Sequence, residues 1–389
     1  MKSFDAVIVG GGLIGAAIAF ELAGEKLRVV VIDRQQPGRE ASWAAAGMLS
    51  PGPDSAEAVP LVPLGKESLA LYPEFVAGIE EASGRTVEFA REGTFEVFAG
   101  AQAESARDKM IEEYRDLGLG IETMAVEAAR KLEPALGPAA RAAAWLPEEA
   151  TVDPRLLTEA VLAAAERRGA HIRGGCAVES LLCERGACVG VAAGGEKIGG
   201  EHVVIAAGSF CGTIRDGVSG MDGNLARYAP VRPVRGQLLA LRPATVKLKK
   251  VLRSSRAYLV PRRDGRIVAG STLEDAGFVK QVTPEGIRKI LEGAAELAPA
   301  LEGAEIVEQW AGLRPDSPDH LPIIGPTEMK GLLIATGHYR NGILLAPVTA
   351  KIVRDWIVGG KASFLAENFS PVRFTAARSR ARTGAYGVM

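Results

Sequence analysis

Hydrophobic and polar positions repeat with different periods along this chain, and each period predicts a different element. Residues 6–9 form an unbroken apolar run, glycines fill positions 10 to 12, and residues 13–23 are apolar on nearly every side before Gly24. That succession predicts a buried strand, a tight turn and a buried helix, and residues 28–33 predict a second strand, completing a βαβ unit with a right-handed crossover. Residues 35–63 hold no sustained period and are rich in Gly, Pro, Ala and Ser, which predicts a long loop of the kind that carries function. Val87, Phe89, Phe95 and Val97 alternate within residues 85–98, as in a strand, and a charged helix is predicted over 103–117.

The α/β pattern returns with an amphipathic helix over 156–168, ended by Gly169. A run at 201–208 follows, apolar on both faces as a central parallel strand is. A second departure begins near Val231. Residues 257–261 and 266–270 flank Asp264-Gly265, a dipeptide suited to the positive φ of a hairpin turn, so an antiparallel sheet is predicted there. Residues 332–335 then predict a strand and 343–358 the last helix. The fold class is α/β: a discontinuous Rossmann-type nucleotide-binding domain from 1–80, 150–225 and 318–369, with an antiparallel β-rich (α+β) substrate domain inserted twice, at 81–149 and 226–317. Residues 370–389, with Arg378, Arg380 and Arg382 and little apolar pattern, predict a flexible tail.

Composition narrows the partners. With 389 residues and a formal net charge of −1, the chain has core enough for two domains and no overall charge that would draw nucleic acid or an anionic membrane. A small molecule is the expected partner, and a homo-oligomer is left open. The apolar run at 6–22 is too broken by its glycines, and bracketed by Asp5 and Glu21, to be a membrane span or signal peptide. Cys176, Cys183, Cys188 and Cys211 show no metal-ligand spacing and read as buried thiols in a reducing cytoplasm, with no metal expected.

The chemistry starts at Gly10-Gly11-Gly12-Leu13-Ile14-Gly15, a GxGxxG that follows a strand and opens a helix. Gly10 permits the turn, Gly12 lets backbone approach a pyrophosphate, and Gly15 lets the helix lie close to the strand while its N-terminus faces the phosphates. Asp33 closes the second strand where a carboxylate can accept ribose hydroxyls. FAD and NAD share the same ADP half, so this motif leaves the choice between them open. In the loop at 41–49, small residues would let amides run beside a flat ring and Ser42 could reach a phosphate; a plain packing turn is the alternative. Gly337-His338-Tyr339-Arg340-Asn341-Gly342-Ile343 leads into the last helix, whose positive end would favour a reduced flavin. The alternative is a helix start capped by Asn341 with no ligand near. Gly208, ending the central strand, is a further cofactor candidate. Arg314 offers a planar fork for a substrate carboxylate, or else a structural pair with Asp316 or Asp319.

The runs VIVGGGLIGAAIAFELA, SWAAAGML, AYLVPRRDGRIVAGSTLE, WAGLRP, GHYRNGILLAPVTA and FSPVRF, in that order, resemble the glycine oxidases of the thiamine pathway, within the D-amino-acid oxidase superfamily, over nearly the whole chain. The resemblance implies FAD as cofactor, with contacts from Leu13, Ile14, Asp33, Arg34, Ala41, Ser42, Ala46, Gly47, Met48, Val178 and the run His338, Tyr339, Arg340, Asn341, Gly342, Ile343 and Leu344. It also implies carboxylate binding by Arg314 with Tyr258 as second contact, and Arg340 stands on the substrate side as well. Two departures bear on substrate range. Where a well-known bacterial member has a histidine two residues before the tyrosine, this chain has Arg256, and where that member has a pocket methionine it has Leu273.

The reaction implied is oxidation of a small amino acid at its α-carbon, with O₂ reduced to hydrogen peroxide and no obligatory side-chain base. A dehydrogenase of the same fold, handing electrons to a quinone or carrier, is one rival; a flavin-binding redox protein without amine turnover is another. In related amine oxidases a cysteine in the C-terminal part of the chain tethers the flavin. No cysteine follows Cys211 here, so the FAD is expected to be non-covalent.

Overall fold

Strand Lys2–Val9, helix Leu13–Gly24 and strand Val29–Ile32 follow one another as the apolar pattern predicts, and the two strands pair in parallel. The helix is apolar nearly all round because it is buried nearly all round. The computed structural model describes residues 2–218, 223–361 and 364–374.

The first sheet has eight strands, and its centre is parallel. His171–Arg173, Val29–Ile32, Lys2–Val9, Glu196–Ile205 and Leu332–Thr336 lie side by side, with the hairpin Val178–Glu184 and Ala187–Ala193 and the strand Ile323–Pro326 added antiparallel. Helices Leu13–Gly24, Val62–Ser83, Pro154–Arg167 and Ala346–Gly359 share one core with one face of this sheet. The carboxyl ends of the parallel strands are left to the loops, where α/β sheets place ligands.

The second sheet also has eight strands, and both inserted segments build it. Its order is Glu305–Asp316, Arg232–Arg242, Ile267–Gly270, Tyr258–Pro261, Val251–Arg253, Thr94–Ala99, Ala140–Leu146 and Glu122–Met124. Every neighbouring pair is antiparallel except Val251–Arg253 with Thr94–Ala99, which is parallel and joins the two insertions. The hairpin between Tyr258–Pro261 and Ile267–Gly270 turns at Gly265, φ 85°, as Asp264-Gly265 predicts. Arg155 couples the two halves of the molecule: its guanidinium stacks on Trp43 at 3.5 Å and meets both carboxylate oxygens of Glu308 at 2.9 and 3.0 Å.

Several elements depart from the sequence pattern. The loop at 35–63 contains the short helix Ala41–Ala44, the strand Met48–Leu49 and a 3₁₀ turn Ala56–Leu61. It ends at the 22-residue helix Val62–Ser83, which starts with Pro63 in its first turn and stops at Gly84, φ 65°. A boundary at residue 80 therefore falls inside a helix. The single strand expected over 85–98 is two, Phe89–Ala90 and Thr94–Ala99, because Gly93 at φ 71° breaks the extended run. The strand expected over 201–208 ends at Ile205, and Gly208 opens a 3₁₀ turn. The last helix begins at Ala346, capped by Leu345 without a side-chain bond; Asn341 is not its cap, since residues 341–345 close a separate turn in which the Leu345 N–H donates to the Asn341 carbonyl at 2.9 Å. The tail expected from residue 370 is held as far as Arg373, which pairs with Asp319 at 2.8 Å and donates to the Leu321 and Pro322 carbonyls. Residues 375–389 lie outside the described residues. Among the described residues no helix is long and apolar enough to cross a membrane.

Candidate active site

A cavity of about 280 Å³ opens at the carboxyl ends of the parallel strands and runs to the edge of the second sheet. Its walls come from residues far apart in sequence: Gly10 and Gly12 to Ile14, Asp33 and Arg34, Glu40 to Ser42 and Ala44 to Met48, Ala206 to Phe210, Gly312 to Pro315, and Thr336, His338 to Arg340, Gly342 and Ile343, with Val178, Tyr258 and Gly236.

At one end, local backbone chemistry prepares a place for a dinucleotide. Gly10 has φ 106°, and a Cβ there would lie 2.4 Å from the Ala206 carbonyl oxygen; one on Gly15 would lie 2.0 Å from that of Gly10. A Cβ on Gly12 would meet only the Ser42 hydroxyl, at 3.3 Å, so this glycine faces the space itself. The first turn of helix Leu13–Gly24 holds no acidic residue, which leaves its positive end free for phosphate. The Ser42 hydroxyl accepts the Leu13 N–H at 2.9 Å, locking the 41–49 loop onto that helix end. Asp33 accepts the amides of Gly11 at 2.7 Å and Gln35 at 2.9 Å, which fixes its carboxylate at the strand end. Arg34 lies over the Phe210 ring at 3.4 Å and pairs with Glu40 at 2.7 Å. Gly47, φ 78°, passes so close to the Val152 carbonyl oxygen that a Cβ would sit 1.9 Å away.

At the other end the decisive group is Arg314. It donates to the Thr272 carbonyl at 3.2 Å and the Ser271 hydroxyl at 2.8 Å, and among the described residues it has no carboxylate partner. Both carboxylates offered as structural partners are taken elsewhere. Asp316 pairs with Arg232 at 3.0 Å and His320 at 2.6 Å, and Asp319 with Arg373. Burial pulls the Arg314 pKa below the usual guanidinium value, the mark of a cation short of a counter-charge. Arg314 stands opposite Val234 in the ladder of Glu305–Asp316 with Arg232–Arg242, and its side chain leans over Gly236, two residues along. A Cβ on Gly236 would lie 2.2 Å from Nη1 and 2.5 Å from Cζ. Tyr258 lines the same space, from the strand Tyr258–Pro261.

The His338 to Ile343 stretch closes the cavity between these ends. His338 is buried, its Nε2 lies 3.0 Å from Thr349 Oγ1, and desolvation lowers its pKa to about 3, so the imidazole is neutral. Tyr339 takes φ 48° and donates its N–H to the Pro315 carbonyl at 3.0 Å, tying this turn to the strand of Arg314.

Of the residues singled out from sequence, Gly15, Asn341 and Leu344 do not line the cavity. Gly15 serves the packing of strand on helix, while the Leu344 side chain points into the core and its carbonyl accepts the Ser68 hydroxyl at 2.6 Å. Arg256 and Leu273 also lie off the wall: Arg256 pairs with Glu292 and Glu296 on helix Pro284–Leu297, and Leu273 is 61% exposed. Residues the sequence reading passed over include Gly236 and Gly312, which face each other across the ladder, and Ser271. Gly312 and Ser271 stand inside the runs WAGLRP and AYLVPRRDGRIVAGSTLE; Gly236 carried no signal, because its role exists only in the register.

The chain matches the model of the FAD dependent oxidoreductase (DAO) family over residues 5–356. It is 38% identical over 377 residues to the bifunctional protein ThiO/ThiG of Trichormus variabilis, which covers 95% of this chain and 55% of that protein. It thus spans about half the length of the first curated relatives it matches. It is 34% identical over 361 residues to the glycine oxidase of Pseudomonas putida, covering 92% of this chain and 96% of that one. The crystal structure of glycine oxidase from Geobacillus kaustophilus superposes with a TM-score of 0.87 at 31% identity, covering 95% of this chain and 98% of that one. With its glycine turn, its acid-free helix end and the family model matched over residues 5–356, the chain belongs to the DAO family of FAD-dependent oxidoreductases.

Proposed function

We propose that this enzyme oxidises glycine, and amino acids of similar size such as sarcosine and small D-amino acids, consuming O₂. With glycine the balance is glycine plus O₂ plus water to glyoxylate, ammonia and hydrogen peroxide. The observation that carries this reading is Arg314: a half-buried guanidinium, cradled on Gly236, facing a cavity and lacking a carboxylate partner among the described residues. A small amino acid supplies that carboxylate.

In this reading Gly10, Gly12, Leu13, Ile14, Asp33, Arg34, Ala41, Ser42, Ala46, Gly47, Met48, Val178, Gly208, His338, Tyr339, Arg340, Gly342 and Ile343 would hold FAD, which would supply the two-electron acceptor and, through O₂, its own regeneration. Arg314 binds the substrate carboxylate through its outer nitrogens and Tyr258 adds a hydroxyl, so the α-carbon is held in one orientation. His338 stays neutral and bonded to Thr349, which leaves it no part as a base. Asp33 and Glu40 belong to the nucleotide end, so the amine enters neutral and its proton leaves to water. Cofactor residues fall within 1–80, 150–225 and 318–369, and the carboxylate clamp within 226–317. A cytoplasmic setting is part of the proposal, supported by four free thiols; Cys188 and Cys211 are buried as expected from the sequence, whereas Cys176 and Cys183 are only half-buried, because Cys183 lies in the edge strand Val178–Glu184 of the first sheet and Cys176 just before it.

The test is anaerobic mixing of the purified yellow protein with glycine, sarcosine, D-alanine and D-proline, followed by air. Flavin bleaching by glycine or sarcosine and rapid recovery with stoichiometric peroxide is expected. Recovery that is slow in air and fast with a quinone assigns the chain to the dehydrogenases, and no bleaching by any of the four refutes amine turnover.

A further inference from the structure

Arg314 can take a substrate carboxylate only while the protein's own acids are kept from it. Asp316 and Asp319 are engaged elsewhere, and a third acid stands beside the groups that support the clamp. Arg314 rests on the Ser271 hydroxyl and the Thr272 carbonyl, and Glu274 follows two residues later. Thr272 touches both charges: its carbonyl accepts from the guanidinium, and its hydroxyl bonds the Glu274 carboxylate.

Glu274 is nevertheless drawn the other way. Its Oε2 accepts Arg235 Nε at 2.9 Å and also Nη2 of the same side chain, and its Oε1 accepts Gln237 Nε2 at 2.7 Å. Arg235 and Glu274 also exchange backbone bonds in both directions, at 2.9 and 3.0 Å. Gln237 is fully buried, accepts the Thr283 N–H at 2.8 Å, and donates its own backbone N–H to the Thr272 hydroxyl at 2.9 Å. Desolvation pushes the Glu274 pKa up, but the bonds from Thr272, Arg235 and Gln237 outweigh it and hold the carboxyl below its usual value, so the acid is an anion. Strand alternation shows why these partners matter. The Arg314 side chain lies over Gly236, and Arg235 and Gln237, its neighbours on either side, point to the opposite face of strand Arg232–Arg242. Asp275, next along, is likewise taken by Arg232, at 3.2 Å.

We propose that Arg235 and Gln237 are positioning residues for the carboxylate clamp: by drawing Glu274 to the far face of the strand they keep Arg314 without an internal partner and hold the Thr272 carbonyl against it. Arg235 acts through Glu274 and Thr272 and touches no ligand itself. Cut loose from Arg235, the Glu274 carboxylate becomes a tethered competitor for the guanidinium, present at the high effective concentration that a short tether gives. Such a competitor raises the ligand concentration needed to fill the site and leaves the filled site as it was.

This inference rests on the substrate reading above, through Arg314, and its test separates the two. Holoenzyme is titrated with acetate, with binding read from the flavin absorption shift without turnover, and is then reduced anaerobically over a glycine series. Arg235→Met is expected to keep its FAD and bind acetate roughly tenfold more weakly, the scale of one charge-assisted hydrogen bond. Half-maximal reduction should need correspondingly more glycine, at a limiting rate near that of the wild type. Arg235→Gln, a milder change that keeps a donor for Glu274, should move both readings the same way by less. Adding Glu274→Gln to Arg235→Met should bring both back toward wild type, because the competitor has lost its charge. Wild-type acetate affinity in Arg235→Met and Arg235→Gln overturns the inference. So does a loss that Glu274→Gln fails to repair, or one that falls on the limiting rate, as a distorted strand would give. Failure of glycine to bleach the wild-type flavin bears on the proposed function alone and leaves the acetate comparison readable.

Discussion

Gly236→Ala is the smallest change that should silence the carboxylate clamp while sparing the fold. The added Cβ would lie 2.2 Å from Arg314 Nη1 and 2.5 Å from Cζ, against an ordinary contact of about 4 Å. The atoms in the way are the end of a flexible side chain, whereas those opposing Gly47 or Gly10 are backbone. Gly236 lies in the extended strand Arg232–Arg242, opposite Gly312, so alanine costs the backbone little. The guanidinium must instead retreat by about 1 Å or more, losing its aim at the carboxylate. A misplacement of that size costs on the order of 100-fold, about 2.7 kcal/mol. The assay is anaerobic stopped-flow reduction over a glycine series, with FAD content and thermal unfolding measured on the same preparation. The expected result is a full complement of FAD, a midpoint within a few degrees of wild type, and about 100-fold weaker reduction at low glycine. Wild-type reduction by the alanine variant would refute the cradle, and so would loss of glycine response only together with loss of FAD.

Arg314→Ala should retain FAD and lose glycine affinity by about 3 kcal/mol, the lower range for removing one partner of a buried charge pair, with Arg314→Lys recovering only part; near wild-type affinity in the alanine variant would end its assignment as clamp. His338, with a pKa lowered to about 3 from 6.5 by burial, binds fewer protons folded than unfolded between those values. Stability is therefore fully present above about pH 6.5 and falls as pH drops toward 3, by roughly 1.4 kcal/mol per unit from this residue. Urea unfolding at pH 4.5 and 6.5 should show that slope reduced in His338→Gln, and an unchanged slope would contradict it. Acid precipitation should release all the yellow colour, because no cysteine lines the cavity; colour kept in the pellet would mean a covalent bond.

Legibility in the sequence followed the range of the forces involved. Gly10, Gly12 and Gly15 could be given their tasks without coordinates, because a strand, a tight turn and a helix are set by dihedral preferences and by apolar period over neighbouring residues. The turn at Gly265 was readable for the same reason. The start of the last helix was not. Whether residues 341–345 continue the helix or close a turn of their own depends on packing, with the Ile343 and Leu344 carbonyls accepting hydroxyls from Tyr72 and Ser68 more than 270 positions away.

The clamp was legible in part. A lone arginine before Pro315, with Asp316 and Asp319 close by in sequence, admits a structural pair as readily as a ligand site. The register of one long ladder decided between them, turning Asp316 to Arg232 and His320 and laying the Arg314 side chain over Gly236. Arg256 and Leu273 flank the site in sequence and miss it in space, since helix Pro284–Leu297 draws Arg256 outward while Leu273 faces solvent. The sequence by itself determined the strand, turn and helix that bear the glycines, because those depend on near neighbours. Only the tertiary structure decided which cavity-lining cation was left without a carboxylate among the described residues, because that depends on strands distant in the chain meeting in one register.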